Sequence, residues 1–380
     1  MKKKILVTTG TRAEYGFLRP LLKKIEKSDK LELILIVTGT HLSKLHGYTI
    51  KEIIKDGFKI SQKIHMIPKT DDNYGMAIEI GKGIIKFSKC FKKFKPDINL
   101  ILGDRDEIFA SAIAAYHMNI MNAHIHGGDV SGGLDEYTRH AITKISNIHF
   151  AASKKSKKHI IQMGEQPKNV FFTGSPSIDE IKSNNITTKK ELEKKYDIKL
   201  TGDEILLIYH SVTTESHLAK KQISNILNAL IKTKKDIIAI YPNSDAGYKK
   251  IYKQLQLFSK KYPKLKVYSS FPRQDYLGLL KNTNFLIGNS SSGLIEASYF
   301  DTPVINIGNR QTNRERGLNV LDVNGDSINS IYKSIQKINS NKVKKYKNNI
   351  FGNGNASSKI IKILENVNID KKLLQKHLTF

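Results

Sequence analysis

The fold is decided by two stretches, Ile98-Asn99-Leu100-Ile101-Leu102-Gly103-Asp104-Arg105 and Ile120-Met121-Asn122-Ala123-His124-Ile125-His126-Gly127-Gly128-Asp129. Each starts as a short apolar run, Ile98–Leu102 or Ile120–Ile125, and ends in polar residues. Short continuous apolar runs bounded by turn residues read as strands buried in a parallel sheet. Open α/β sheets bind ligands outside the carboxyl ends of their strands. Charge placed directly after two buried strands therefore predicts a reaction centre. The region Asn99–Phe150 completes it with Asp135-Glu136, Arg139-His140 and Lys144.

Outward from this region, strand and helix alternate. Lys4–Thr8 and Leu31–Val37 are expected strands. Gly10–Gly16 is read as a loop, in which Arg12 is either an exposed cation or a phosphate contact. A helix is expected from Phe17 to Lys27, with Leu18, Leu21, Leu22 and Ile25 on one face. Tyr74–Phe94 is expected as a long amphipathic helix, with Pro96 just beyond its end. The alternation breaks near Thr173-Gly174-Ser175-Pro176, and Ser183–Asp197 is polar and lysine-rich. An interdomain connection is therefore expected between Gly174 and Lys199. Alternation restarts with strands at Ile205–Tyr209, Ile237–Tyr241, Leu265–Tyr268, Phe285–Ile287 and Val304–Ile307. The expected class is α/β, with two Rossmann-like domains around a central cleft. Their expected extents are residues 1–175 and 176–365, with the tail 366–380 packing back on the first.

Composition narrows the function. The chain has 380 residues, enough for two domains that each bury a core. Cys90 is the only cysteine, which removes a disulfide framework and a thiolate metal cluster from consideration. No apolar stretch approaches the roughly 20 residues of a membrane helix. The basic-then-apolar start at Met1–Gly10 is too short for a signal peptide and is interrupted by Arg12 and Glu14. A cytoplasmic protein with no membrane partner is expected. The net charge of +28 is carried by lysines scattered along segments such as Lys154–Lys158 and Lys249–Lys266, without a nucleic-acid motif. That pattern predicts a solvated basic surface and no nucleic-acid partner.

The second half has its own polar strand ends at His210 and Tyr241-Pro242-Asn243. Gly288-Asn289-Ser290-Ser291-Ser292-Gly293 precedes an expected helix at Leu294–Phe300. Serines at a helix amino terminus suit a phosphate through free N–H groups and the dipole, and they equally suit ordinary capping. Glu296 is placed either to accept from a ribose hydroxyl or to complement that dipole.

These residues, taken in order, resemble the hydrolysing UDP-N-acetylglucosamine 2-epimerases, which supply N-acetylmannosamine for sialic-acid-like sugars. The resemblance covers nearly the whole chain. It is carried by Gly10–Tyr15, Gly103-Asp104-Arg105, Gly127–Gly132, Asp135, Arg139–Lys144, Tyr241-Pro242-Asn243, Gly288–Glu296 and Pro303–Arg310. It implies a glycosyltransferase-B-like fold with UDP held mainly by the second domain. It also implies UDP contacts from Arg12, Arg105, His210, Asn243, Ser290, Ser291, Glu296 and Arg310, and catalytic carboxylates at Asp104 and Asp135. Where some members carry a glutamate this chain has His126, a third acid–base candidate.

The implied reaction couples removal of the C2 proton to departure of UDP from C1, giving a 2-acetamidoglucal that water then hydrates. No step calls for a metal or redox cofactor, and none is expected. The expected partners are a UDP-sugar substrate and further copies of the chain, as a homodimer or homotetramer. The same reaction on UDP-2,4-diacetamido-2,4,6-trideoxyglucose, a two-domain glycosyltransferase and a silent UDP-sugar-binding protein are the alternatives.

Overall fold

The computed structural model describes residues 2–183, 186–340 and 350–379. Residues 184–185 of the expected interdomain connection and Phe380 of the expected tail lie outside the described residues.

The described residues form two parallel sheets. The first contains β1 (Lys3–Thr9), β2 (Leu31–Thr38), β3 (Ile60–Ile64), β4 (Ile98–Leu102), β5 (Met121–Ile125), β6 (Ile148–Ala151) and β7 (Val170–Phe172), in the order β3-β2-β1-β4-β5-β6-β7. The second contains β8 (Ile205–Ile208), β9 (Ile237–Ile240), β10 (Leu265–Tyr268), β11 (Phe285–Gly288), β12 (Val304–Ile307) and β13 (Val320–Val323), in the order β10-β9-β8-β11-β12-β13. In both, the chain moves outward from the central strand, then jumps back across it. The jump opens a crevice between β1 and β4 in one sheet and between β8 and β11 in the other. The loops that carry Asp104 and His210 leave these central strands at their carboxyl ends.

Central strands are the ones that read clearly from sequence, because β4, β5, β8 and β11 are buried along their whole length. The edge strands β3, β7 and β13 are absent from the sequence reading. They are short, and β3 (Ile-Ser-Gln-Lys-Ile) and β13 (Val-Leu-Asp-Val) mix polar with apolar residues.

Helices cover the sheets. Leu18, Leu21, Leu22 and Ile25 pack with Ile5, Val7 and Leu35, as their shared face predicts. That helix starts at Arg12, not Phe17. Thr11 caps it by accepting from the Glu14 N–H, and Glu14 returns a bond from the Thr11 N–H at 2.9 Å. A cap of this kind is worth ~1 kcal/mol, so Gly10–Gly16 is mostly first turn and not loop.

The helix Ala356–Asn366 returns to the first sheet and not to the second, with which residues up to 365 were grouped. Its Ile360 and Leu364 are fully buried in the first sheet's core. The chain end stays there: Lys376 reaches the Ser146 carbonyl and Glu165, and the Thr379 N–H donates to the Gly164 carbonyl at 2.9 Å. No helix among the described residues is long and apolar enough to cross a membrane.

Candidate active site

The two crevices face each other, and a cavity of about 250 Å³ lies between the sheets. Asp104, Arg105 and Asp106 reach it from the turn after β4, and Asp135 from the first turn of helix Leu134–Lys144. Asp245 and Arg310 reach it from the second unit. Met76, Ala77 and Ile80 of helix Asn73–Phe94, with Phe109, form an apolar wall. Gly103 has φ +76, a left-handed turn that a side chain would oppose, and it swings the chain into the cavity directly after β4.

Each unit's cations meet the other's carboxylates. Arg310 lies 3.0 Å from Asp135, and Arg105 lies 3.6 Å from Asp245 and 3.4 Å from the Ser244 hydroxyl. Beneath them Arg139, buried, donates to the Asp104 carboxylate, to the Asp129 carbonyl at 2.7 Å and to the Ser131 hydroxyl at 3.0 Å. Arg314 of the second unit donates to the Asp129 carboxylate at 2.8 Å.

This network separates the two cavity carboxylates chemically. Burial pushes Asp104 up, but Arg139, Arg314 and Arg310 outweigh it and hold the carboxyl below its ordinary range. Burial also pushes Asp135 up. There the repulsion from Asp104 and Asp245 adds to burial, and the attraction of Arg310 does not reverse it, so the pKa is raised. One group stays ionised while its neighbour keeps a proton to higher pH, a division that suits acid–base work.

The second unit supplies a polar rim. The Asn243 N–H donates to His210 Nδ1 at 3.1 Å, and the Asn243 side-chain amide donates to Asp245 at 2.7 Å. The His210 N–H donates to Asn289 at 2.7 Å, and burial pushes this imidazole well below its usual pKa, so it is neutral. Asn243 Oδ1 is buried without a hydrogen-bond partner. Ser290 and Ser291 stand at the amino terminus of helix Ser292–Tyr299, and neither caps it in the ordinary way: the Ser290 hydroxyl accepts only a long 3.4 Å bond from the Ser292 N–H.

Three further expected site residues, Arg12, Glu296 and His126, also lie outside the cavity lining. Arg12 lies in the first turn of its helix, ion-paired with Glu52, and its Nε and Nη1 are buried without hydrogen-bond partners. Glu296 is fully buried 2.7 Å from Arg273. His126 does not line the cavity. With φ +64 the chain turns sharply after β5, and the ring is buried against Phe17 and bonded to the Ser175 hydroxyl at 2.9 Å. Burial pushes its pKa down to about 4, so the ring is neutral.

The profile of the UDP-N-acetylglucosamine 2-epimerase family matches residues 23–365. The chain belongs to that family. A UDP-N,N'-diacetylbacillosamine 2-epimerase (hydrolyzing) of Legionella pneumophila is 37% identical over 99% of both chains. A GDP/UDP-N,N'-diacetylbacillosamine 2-epimerase (hydrolyzing) of Campylobacter jejuni is 37% identical over 97% of both. In fold, the UDP-GlcNAc 2-epimerase of Neisseria meningitidis bound to UDP-GlcNAc superposes with a TM-score of 0.79 at 21% identity, over 95% of this chain and 99% of that one.

For a 2-epimerase, sequence reasoning gave no role to the partners of the cavity groups: Arg139 and Asp129, which it placed in the reaction centre, and Arg314, Asp106 and Asp245. Arg139 had a signal, since an arginine on the inner face of an amphipathic helix must find an anion. Arg314 had none, because its partner Asp129 is 185 residues away in the chain. Among the described residues no cluster of His, Cys, Asp and Glu suits a metal ion.

Proposed function

We propose that this epimerase-family chain cleaves a UDP-2-acetamido sugar to UDP and the C2-inverted free sugar, with Asp104 and Asp135 as the acid–base pair. The observation that carries the proposal is the cavity holding these two carboxylates, displaced in opposite directions, with Arg105 and Arg310 beside them. An ionised Asp104 takes the C2 proton. The C2–H electron pair becomes the C1=C2 bond as the C1–O bond breaks, and UDP leaves with the C1–O electron pair. Arg105 and Arg310 stabilise the charge developing on the departing diphosphate. Water then adds at C1 as a proton is delivered to the opposite face of C2, a role that fits Asp135, which holds its proton to higher pH than Asp104 does. Arg12, His210, Asn243, Ser290 and Ser291 fit the UDP end. The unpartnered Arg12 nitrogens and the unpartnered Asn243 oxygen are open valences that a nucleotide satisfies.

For the sugar itself, the wall of Met76, Ala77, Ile80 and Phe109 favours a methyl at C6 over a hydroxymethyl. A buried hydroxyl without a partner is penalised, whereas a buried methyl gains ~0.8 kcal/mol. The reading is therefore UDP-2,4-diacetamido-2,4,6-trideoxyglucose, with UDP-N-acetylglucosamine the poorer substrate. The test is incubation with each in deuterated water, followed by NMR. The proposal expects free UDP with a C2-deuterated, C2-inverted free sugar, and a higher kcat/KM for the diacetamido substrate. An inverted sugar still attached to UDP would refute hydrolysis, and faster turnover of UDP-N-acetylglucosamine would refute the substrate preference.

A further inference from the structure

The adjacent residues Asp71 and Asp72 each cap a helix, and the two helices belong to different units. Asp72 caps helix Asn73–Phe94 of the first unit, accepting from the Gly75 N–H at 2.8 Å. Asp71 reaches across the cleft to the amino terminus of helix Tyr248–Lys261 in the second unit. One of its oxygens accepts from the Gly247 N–H at 2.8 Å, the other from the Lys249 N–H at 3.2 Å. That terminus has no cap of its own, because the capping position is Gly247 at φ +91. Its free N–H groups and positive dipole end are therefore satisfied by a carboxylate 176 residues away in the chain.

Both capped ends border the cavity. Met76, Ala77 and Ile80 follow directly after Asp72, and Asp245 immediately precedes the Gly247 turn. Asp71 thus ties the apolar wall of one unit to the polar rim of the other.

The proposed reaction gives this tie a task, and the inference rests on that reading. Once the C1–O bond breaks, the sugar is a neutral glycal with no covalent link to UDP. The arginines that held the diphosphate no longer hold it, so only enclosure keeps it in place until water adds. We infer that Asp71 is a positioning residue that keeps the cavity shut between elimination and hydration, retaining the glycal.

The experiment uses the full chain with Asp71→Ala and, as the milder change, Asp71→Asn. Hydrogen exchange at the Gly247 and Lys249 amides and over residues 73–80 is expected to be roughly fivefold faster in Asp71→Ala. With a UDP-sugar that the wild type turns over, UDP is expected to exceed the free inverted sugar several-fold. The difference is expected to appear as a released glycal with a vinylic H1 signal. Asp71→Asn, which keeps one accepting oxygen, should fall between. Unchanged exchange overturns the inference, and so does faster exchange with UDP and free sugar still in one-to-one ratio. If the wild type turns over neither UDP-sugar, the functional reading fails, while the exchange measurement still decides whether Asp71 ties the units.

Discussion

The two units share the order of six strands, the first adding β7 at its edge, and differ in the chemistry at their strand ends. Around the β1/β4 crevice the first unit gathers Glu14, Asp104, Asp106, Glu107, Asp129 and Asp135, with Arg105 and Arg139 among them. Around the β8/β11 crevice the second unit presents His210, Asn243, Ser290, Arg310 and Arg314. The first is a set of carboxylates, and the second is a set of donors for an anion. On the proposed reaction, one order of six strands thus hosts either half of the chemistry, depending on which residues follow the central strands. The halves are not independent, since Arg310 pairs with Asp135 and Arg314 with Asp129 across the cleft.

That division of labour is broken most severely at Asp104. Asp104→Asn keeps the shape and removes the base, so incorporation of solvent deuterium at C2 should fall by about 10³-fold or more. UDP affinity, measured by calorimetry, should change little. Equal loss of both would mean that the first unit also holds the nucleotide. Arg310→Ala is the complementary break. It removes a cation expected at the departing diphosphate and should lower kcat/KM by about 10²-fold while also weakening UDP binding. Its effect on binding, absent in Asp104→Asn, is what distinguishes the two poles.

Much of this was legible in the sequence, for reasons that differ by region. The apolar runs at β4, β5, β8 and β11 are strands buried on both faces, and such strands announce themselves by composition alone. Asp104, Arg105, Asp135 and Arg310 follow buried strands or open helices, and the structure brings them into one cavity. His126 shows the limit of that logic. It too follows a buried strand, but its left-handed backbone turns the ring under the floor, toward Ser175 and Phe17, and strand position does not encode that direction. Thr11-x-x-Glu14 is a helix-start signature that the flanking glycines concealed. The ion pairs of Arg314 and the caps of Asp71 join residues far apart in the chain, where no spacing rule operates.

The smallest expected effect concerns Asp106, which lines the cavity beside Arg105. Burial raises its carboxyl to about 7, with Glu107, Asp245 and Asp135 adding to the rise and Arg105 opposing it. The raised value fixes the sign. Near pH 6 the group is mostly neutral, and as pH rises through about 7 it becomes an anion inside a cleft that must accept a diphosphate. KM for the UDP-sugar should therefore rise by about fivefold between pH 6 and 8, the effect of one like charge at partly screened distance. Bound substrate, being anionic, holds the proton on Asp106 more tightly, so the rise in KM should exceed any fall in kcat over the same range. Stability follows the same sign. A carboxyl whose folded pKa exceeds its unfolded one contributes fully below the unfolded value, about 4, and loses that contribution as pH rises through about 7. Asp106→Asn keeps the neutral form at every pH, so the KM profile should flatten between pH 6 and 8 and the fall in Tm between about pH 4 and 7. A KM profile unchanged by the substitution would show that Asp106 is not the group whose charge opposes the diphosphate.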